Sequence, residues 1–222
     1  MIKRNIMEIS NDIIKLFQNK NYEKYVLEIM NLSIKVFPGK YKNIEEQLHG
    51  ECDFLEINTG EKFDAKLPFY SDQIKILTDG KKHKPKIKKW IQDMCDEAYE
   101  FDRVMLNDPK NLDVSELKLY TIMKEQIIRD NEDENIVFFI PYPVVASMRG
   151  SIFLQFTANY LNSIYNQLEK EIDFTNRSIY VIYPSSNKNE FAIKDLKYYY
   201  TEYIQYNKLS EYFEHEAFFS LR

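Results

Sequence analysis

Two apolar runs constrain the fold most. Ile136-Val-Phe-Phe-Ile140 and Ser178 to Tyr183 are rich in β-branched and aromatic residues, with little polar alternation. Such runs suit buried strands. Between them, residues 150–171 suit one long helix. Strand, long helix and strand fit a parallel crossover unit. That unit points to an α/β architecture with helices on the sheet.

The remaining segments are fitted around this unit. Residues 6–36 carry apolar residues at helical spacing, with a break at Asn19 to Asn21 and a stop at Pro38-Gly39. A short helix is predicted over Asn43 to Leu48, ending at Gly50. Residues 52–57 and 62–67 are two short runs around Asn58-Thr59-Gly60-Glu61, a hairpin signal closed by Pro68. Residues 70–134 are polar and helical in pattern. One stripe runs through Ile87, Trp90, Ile91, Met94 and Ala98, and another through Leu117, Tyr120, Ile122, Met123, Ile127 and Ile128. The tail from about 190 reads as helical, with Phe191-Ala-Ile193 open to a strand reading. The expected organisation of 1–222 is a single domain: N-terminal helices over 1–48, a motif hairpin over 50–68, a helical insertion over 70–134, and the remaining strands and helices, ending in a C-terminal helix, over 135–222.

The chain has 222 residues, 44% of them hydrophobic, enough for a sizeable core. Two cysteines, Cys52 and Cys95, give no disulfide framework and suit free thiols in a reducing cytoplasmic setting. No secretory leader is read at the N-terminus. The longest uncharged stretch, Gly150 to Leu168, is interrupted by Ser, Gln, Thr and Asn, so no membrane association is expected.

Chemistry concentrates in the hairpin. With a two-residue turn at Thr59-Gly60, Ile57 faces Lys62, Leu55 faces Asp64 and Asp53 faces Lys66. Residues two apart share a face, so Asp53, Asp64 and Lys66 converge. Two carboxylates on adjacent strands can hold one or two Mg²⁺, with the Ala65 carbonyl as a further oxygen donor. Such a metal polarises a phosphodiester, and Lys66 can position water and offset developing charge. The plainer alternative is an exposed hairpin face with an Asp53–Lys66 ion pair.

These residues resemble the PD-(D/E)XK, or restriction-endonuclease-like, superfamily, whose pattern is an Asp on one strand and Asp/Glu-X-Lys on the next. Asp53 and Asp64-Ala65-Lys66 supply it. The resemblance implies an αβββαβ core with a mixed sheet, Mg²⁺ (or Mn²⁺) dependence and hydrolysis of phosphodiester bonds in DNA or RNA. It implies metal ligation by Asp53 and Asp64, with Lys66 beside the attacking water. The acid that such sites often take from a preceding helix would come from Glu46, with Glu45 as a second choice. An upstream His ligand would be His49, and a Gln following the Lys would be Gln73. Other Asp/Glu-X-Lys triplets occur at Asp79-Gly-Lys81, Glu116-Leu-Lys118 and Asp195-Leu-Lys197, the last being the second choice of site.

Lys81, Lys82, Lys84, Lys86, Lys88 and Lys89 form a run of six lysines without an acid between Asp79 and Asp93. Such a run can neutralise phosphates, with Trp90 stacking on a base or packing in the core. Arg149 precedes the long helix, where phosphate can bind or a plain turn can sit. DNA is the favoured partner over RNA. The alternative is a non-catalytic nucleic-acid-binding or assembly subunit of a defence or mobile-element system. The aromatic C-terminal segment offers a homodimer or partner-protein surface, or a helix packed on its own domain. His49, His83 and His215 lack zinc spacing, and there is no dinucleotide-binding, P-loop or Gly-X-Ser-X-Gly motif.

Overall fold

The computed structural model describes residues 22–44, 52–69, 113–130, 132–140, 160–184 and 190–206, with the single positions 89, 93 and 97. These build a mixed α/β fold around one seven-stranded sheet. The strands are β1 (Tyr41–Asn43), β2 (Phe54–Glu56), β3 (Lys62–Lys66), β4 (Asn135–Phe139), β5 (Ile179–Pro184), β6 (Glu190–Asp195) and β7 (Tyr200–Gln205). They lie side by side in chain order. Strands β1 to β3 form an antiparallel meander, β3 to β5 run parallel, and β5 to β7 are antiparallel.

Helix α1 (Tyr22–Leu32) precedes the sheet, and α2 (Lys118–Arg129) lies in the crossover from β3 to β4. A third helical segment, 160–168, lies in the crossover from β4 to β5. The two apolar runs therefore form β4 and β5, paired in parallel with Phe138 opposite Val181. Ile136 to Phe139 are all 0% exposed, which is why the first run could not alternate with polar residues.

The two faces of the sheet are covered differently. Phe37, just after α1, packs on Tyr41, Phe63 and Tyr180. Glu202 of β7 fixes that connection. Its buried carboxylate accepts from Ser33 Oγ at 2.6 Å and from the Lys35 and Val36 amides at 3.1 and 3.0 Å. Asp64 and Lys66 alternate onto the opposite face, the side on which Lys66 meets the C-terminal end of α2.

Three expectations need correction. Asn43 closes strand β1 and does not start a helix; the rest of that predicted helix, 45–48, lies outside the described residues. The Asn31 amide holds this edge strand, donating to the Tyr41 carbonyl at 3.0 Å and accepting from its N–H at 3.0 Å. Residues 190–205 form a hairpin, not a helix. Its turn carries Tyr199 at φ 54°, in the left-handed region, and its Tyr, Phe and Ile content suits strands. Ile128, assigned to the apolar stripe of α2, is 61% exposed, whereas Tyr120, Met123 and Ile127 are buried.

Cys52 is buried, and Cys95 lies outside the described residues. In the span expected to be a helical insertion, 70–88, 90–92, 94–96, 98–112 and 131 lie outside them too, Trp90 and the first apolar stripe included, while Lys89, Asp93 and Glu97 are helical. Among the described residues, no helix is long and apolar enough to cross a membrane.

Candidate active site

The β2–β3 hairpin forms, but its register differs from the expected one by two residues. Phe54 pairs with Phe63 and Leu55 with Lys62. The cause is the connection. Glu56 N donates to the Glu61 carbonyl at 2.9 Å, and Gly60 N donates to the Glu56 carbonyl at 3.0 Å, so four residues turn the chain. Gly60 supplies the positive φ of 75° that this turn needs. A slip of one residue would move the acids to the other face, but a slip of two keeps them on the same face. It replaces Lys66 by Asp64 as the group opposite Asp53.

Asp53 is therefore anchored at the mouth of β2. Its Oδ2 accepts from the Ala65 amide at 2.8 Å, across the strand pair. Its carboxyl also shares a hydrogen bond with Asp64. Burial, then that bond to Asp53, pushes the Asp64 carboxyl up to about 7 against the pull of Lys66. Lys66 Nζ lies 2.5 Å from Asp64 Oδ2 and 3.0 Å from Asp130 Oδ1. Burial opposes the Lys66 charge, but Asp64 and Asp130 outweigh it and raise the ammonium above its ordinary range. Burial also raises Asp130, with Lys66 opposing. The site thus sets Lys66 between Asp64 and Asp130, with Asp53 beside Asp64.

Sequence reasoning brought Asp53, Asp64 and Lys66 together and missed two neighbours. Asp130 is the residue following α2 and gives no local signal, because only the tertiary docking of that helix brings it to Lys66. Tyr22, at the start of α1, is raised by burial and then by Glu23, Asp53 and Asp64, so its phenol belongs to the same electrostatic neighbourhood. Glu45, Glu46, His49, Gln73, Lys81, Lys82, Lys84, Lys86, Lys88 and Arg149 lie outside the described residues. Lys89 is an exposed helical residue.

The second-choice triplet does not form a comparable site. Asp195 Oδ1 accepts from the Tyr198 amide at 3.1 Å, and Lys197 Nζ donates to the Phe174 carbonyl at 3.4 Å. Both serve the β6–β7 turn. On that hairpin Tyr198, Tyr199, Tyr200 and Tyr203 are exposed and Tyr206 is buried, so the described part of the aromatic segment is divided between surface and core, while residues 207–222, with the expected C-terminal helix, lie outside the described residues.

In kind, the donor set fits a hard divalent cation. Mg²⁺ is commonly held by one or two carboxylates with water completing its shell, and Asp53 and Asp64 are two such carboxyls, at facing positions of adjacent strands. Among the described residues, however, no group of three or more His, Cys, Asp or Glu side chains could hold a metal ion. Asp53 and Asp64 are thus a two-carboxylate site. Comparison with family models, with curated proteins and with solved structures finds no match.

Proposed function

We propose that this chain is a Mg²⁺- or Mn²⁺-dependent nuclease of the PD-(D/E)XK type, hydrolysing phosphodiester bonds in DNA or RNA. The observation that carries the reading is the hydrogen-bonded Asp53–Asp64 pair on adjacent strands with the Lys66 ammonium beside it. The element order supports it as well. Helix α1, the meander β1 to β3, helix α2 and a β4 parallel to β3 follow the αβββαβ sequence of the restriction-endonuclease-like core.

A bound divalent cation supplies Lewis acidity toward a phosphoryl oxygen and toward water. Asp53 and Asp64 would hold it, and the raised Asp64 carboxyl would ionise to do so. Lys66 places a positive charge where negative charge accumulates on the phosphoryl oxygens, and burial strengthens that interaction. The Ala65 amide fixes the Asp53 carboxylate, so the acid needs little rearrangement on binding.

Incubation of the full chain with plasmid DNA and single-stranded RNA, with Mg²⁺ or Mn²⁺, tests the reading. Cleavage is expected, lowered about 10²-fold or more in Asp64→Ala and Lys66→Ala. No cleavage of either substrate, or variants that cut as well as the wild type, defeats it. One observation favours a second reading. Lys66 already bridges two carboxylates, which suits a structural ion cluster in a non-catalytic nucleic-acid-binding or assembly subunit. A mobility shift without cleavage under every cation condition is its signature.

A further inference from the structure

We infer that Asp130 is a positioning residue that holds Lys66 in the site independently of Asp64. The inference deepens the nuclease reading and rests on it for the role of Lys66. It starts from a problem in the geometry. Asp64 is asked to do two things: it contacts Lys66, and it is a ligand for a cation. A carboxylate drawn toward a divalent cation loosens its hold on an ammonium, and a lysine without another partner would then be free to move.

Asp130 is that other partner. Its Oδ1 lies 3.0 Å from Lys66 Nζ, and its side chain is only 10% exposed. The ammonium has three donors. One meets Asp64 and one meets Asp130; among the described residues, the third is left for water or a phosphoryl oxygen. Helix capping does not account for this acid. Asp130 is the C-cap of α2, where the helix dipole disfavours negative charge. Its second oxygen, Oδ2, is buried without a hydrogen-bond partner among the described residues. A buried carboxylate oxygen left unsatisfied at the unfavourable end of a helix is costly by itself, and the contact with Lys66 gives it a purpose.

The support beneath Asp130 is firm. Gln126 Nε2 donates to the Leu67 and Phe69 carbonyls, each at 2.9 Å, tying the last turn of α2 to the chain leaving β3. Arg177 donates to the Ile127 carbonyl at 3.1 Å and ties the same turn to the approach to β5. The carboxylate that holds Lys66 is therefore mounted on a helix end fixed from two sides. Such support maintains the orientation of a reacting group.

The test is lysine-ammonium NMR on the full chain, with the Lys66 signal identified by its loss in Lys66→Arg. Spectra are compared with and without saturating Mg²⁺. In the wild type, Lys66 should stay ordered and slow to exchange its protons in both states. In Asp130→Asn, adding Mg²⁺ should speed that exchange about tenfold, the loss of one charged hydrogen bond, and Asp130→Glu should restore much of the order. Nuclease assays on the same proteins should show kcat down about tenfold in Asp130→Asn, with KM and the half-saturating Mg²⁺ concentration unchanged. A wild-type Lys66 that becomes mobile on Mg²⁺ addition overturns the inference, as does an Asp130→Asn spectrum that Mg²⁺ leaves unaltered. A changed Mg²⁺ requirement also overturns it, because Asp130 would then be a ligand. If the wild type cuts nothing, the nuclease reading fails, while the NMR comparison still decides whether Asp130 holds Lys66.

Discussion

At the scale of single residues, Asp64 sets the pH behaviour. Its carboxyl moves from an ordinary 3.8 up to about 7, chiefly through burial and the bond to Asp53. A raised acid binds a proton in the folded state that the unfolded state has already lost. Its contribution to stability is therefore complete below about pH 4 and declines as pH rises toward 7, on the order of 3–4 kcal/mol across that window. Asp64→Asn carries no such proton. Its melting temperature should match the wild type near pH 4 and exceed it at pH 8, with differential scanning calorimetry as the check. Parallel melting curves across this range would count against the raised Asp64 carboxyl. The same proton competes with a cation, so Mg²⁺ should raise the wild-type melting temperature more at pH 8 than at pH 5, and Asp64→Asn should lose that gain.

At the scale of elements, the hairpin that carries the site depends on Glu56. Its buried carboxylate accepts from the Lys40 amide at 3.1 Å, the Asn58 amide at 2.8 Å and the Thr59 amide at 2.5 Å. The Thr59 amide is the largest cause holding this acid down at about 2. Its support is present above pH 4.5 and is lost as pH falls toward 2. Gly39 leaves room for it, since a Cβ there would lie 2.6 Å from Glu56 Cγ and Oε1. Gly39→Ala should cost about 1–3 kcal/mol by urea unfolding and flatten the acid limb of the stability profile, as Glu56→Gln should. This network explains why the hairpin was legible in its strands but not in its register. The Asn-Thr-Gly signal marks a turn. A buried glutamate organising that turn across Lys40, Asn58 and Thr59 is tertiary and leaves no periodic trace. Residues 190–205 failed for a different reason. Closely spaced tyrosines satisfy helical and strand spacing alike, and pairing of β6 with β5 decided between them.

At the scale of the whole molecule, the parallel centre was readable because burial on both faces demands continuous apolar runs, and Ile136 to Phe139 are such a run. The acid–lysine cluster was readable only in part. Face alternation places Asp53, Asp64 and Lys66 together, whereas Asp130 arrives through the docking of a helix remote in sequence. Charge is distributed as unevenly as the site. The run from Lys81 to Lys89 carries +6 of a chain whose net charge is −5, so the remainder sums to −11. Phosphates respond to charge within a Debye length rather than to the total. On the nuclease reading, these lysines supply substrate affinity and the carboxylates supply chemistry, so the two functions should separate. Replacing the six lysines by glutamine should weaken binding of a DNA duplex at low salt and reduce the slope of log K against log salt by up to about 5. Hydrolysis of a small phosphodiester such as bis(p-nitrophenyl) phosphate should be unaffected by the same replacements and abolished by Asp64→Ala. An unchanged salt slope would remove the lysine run from the nucleic-acid interface and leave the acidic body of the protein to find its substrate by other contacts.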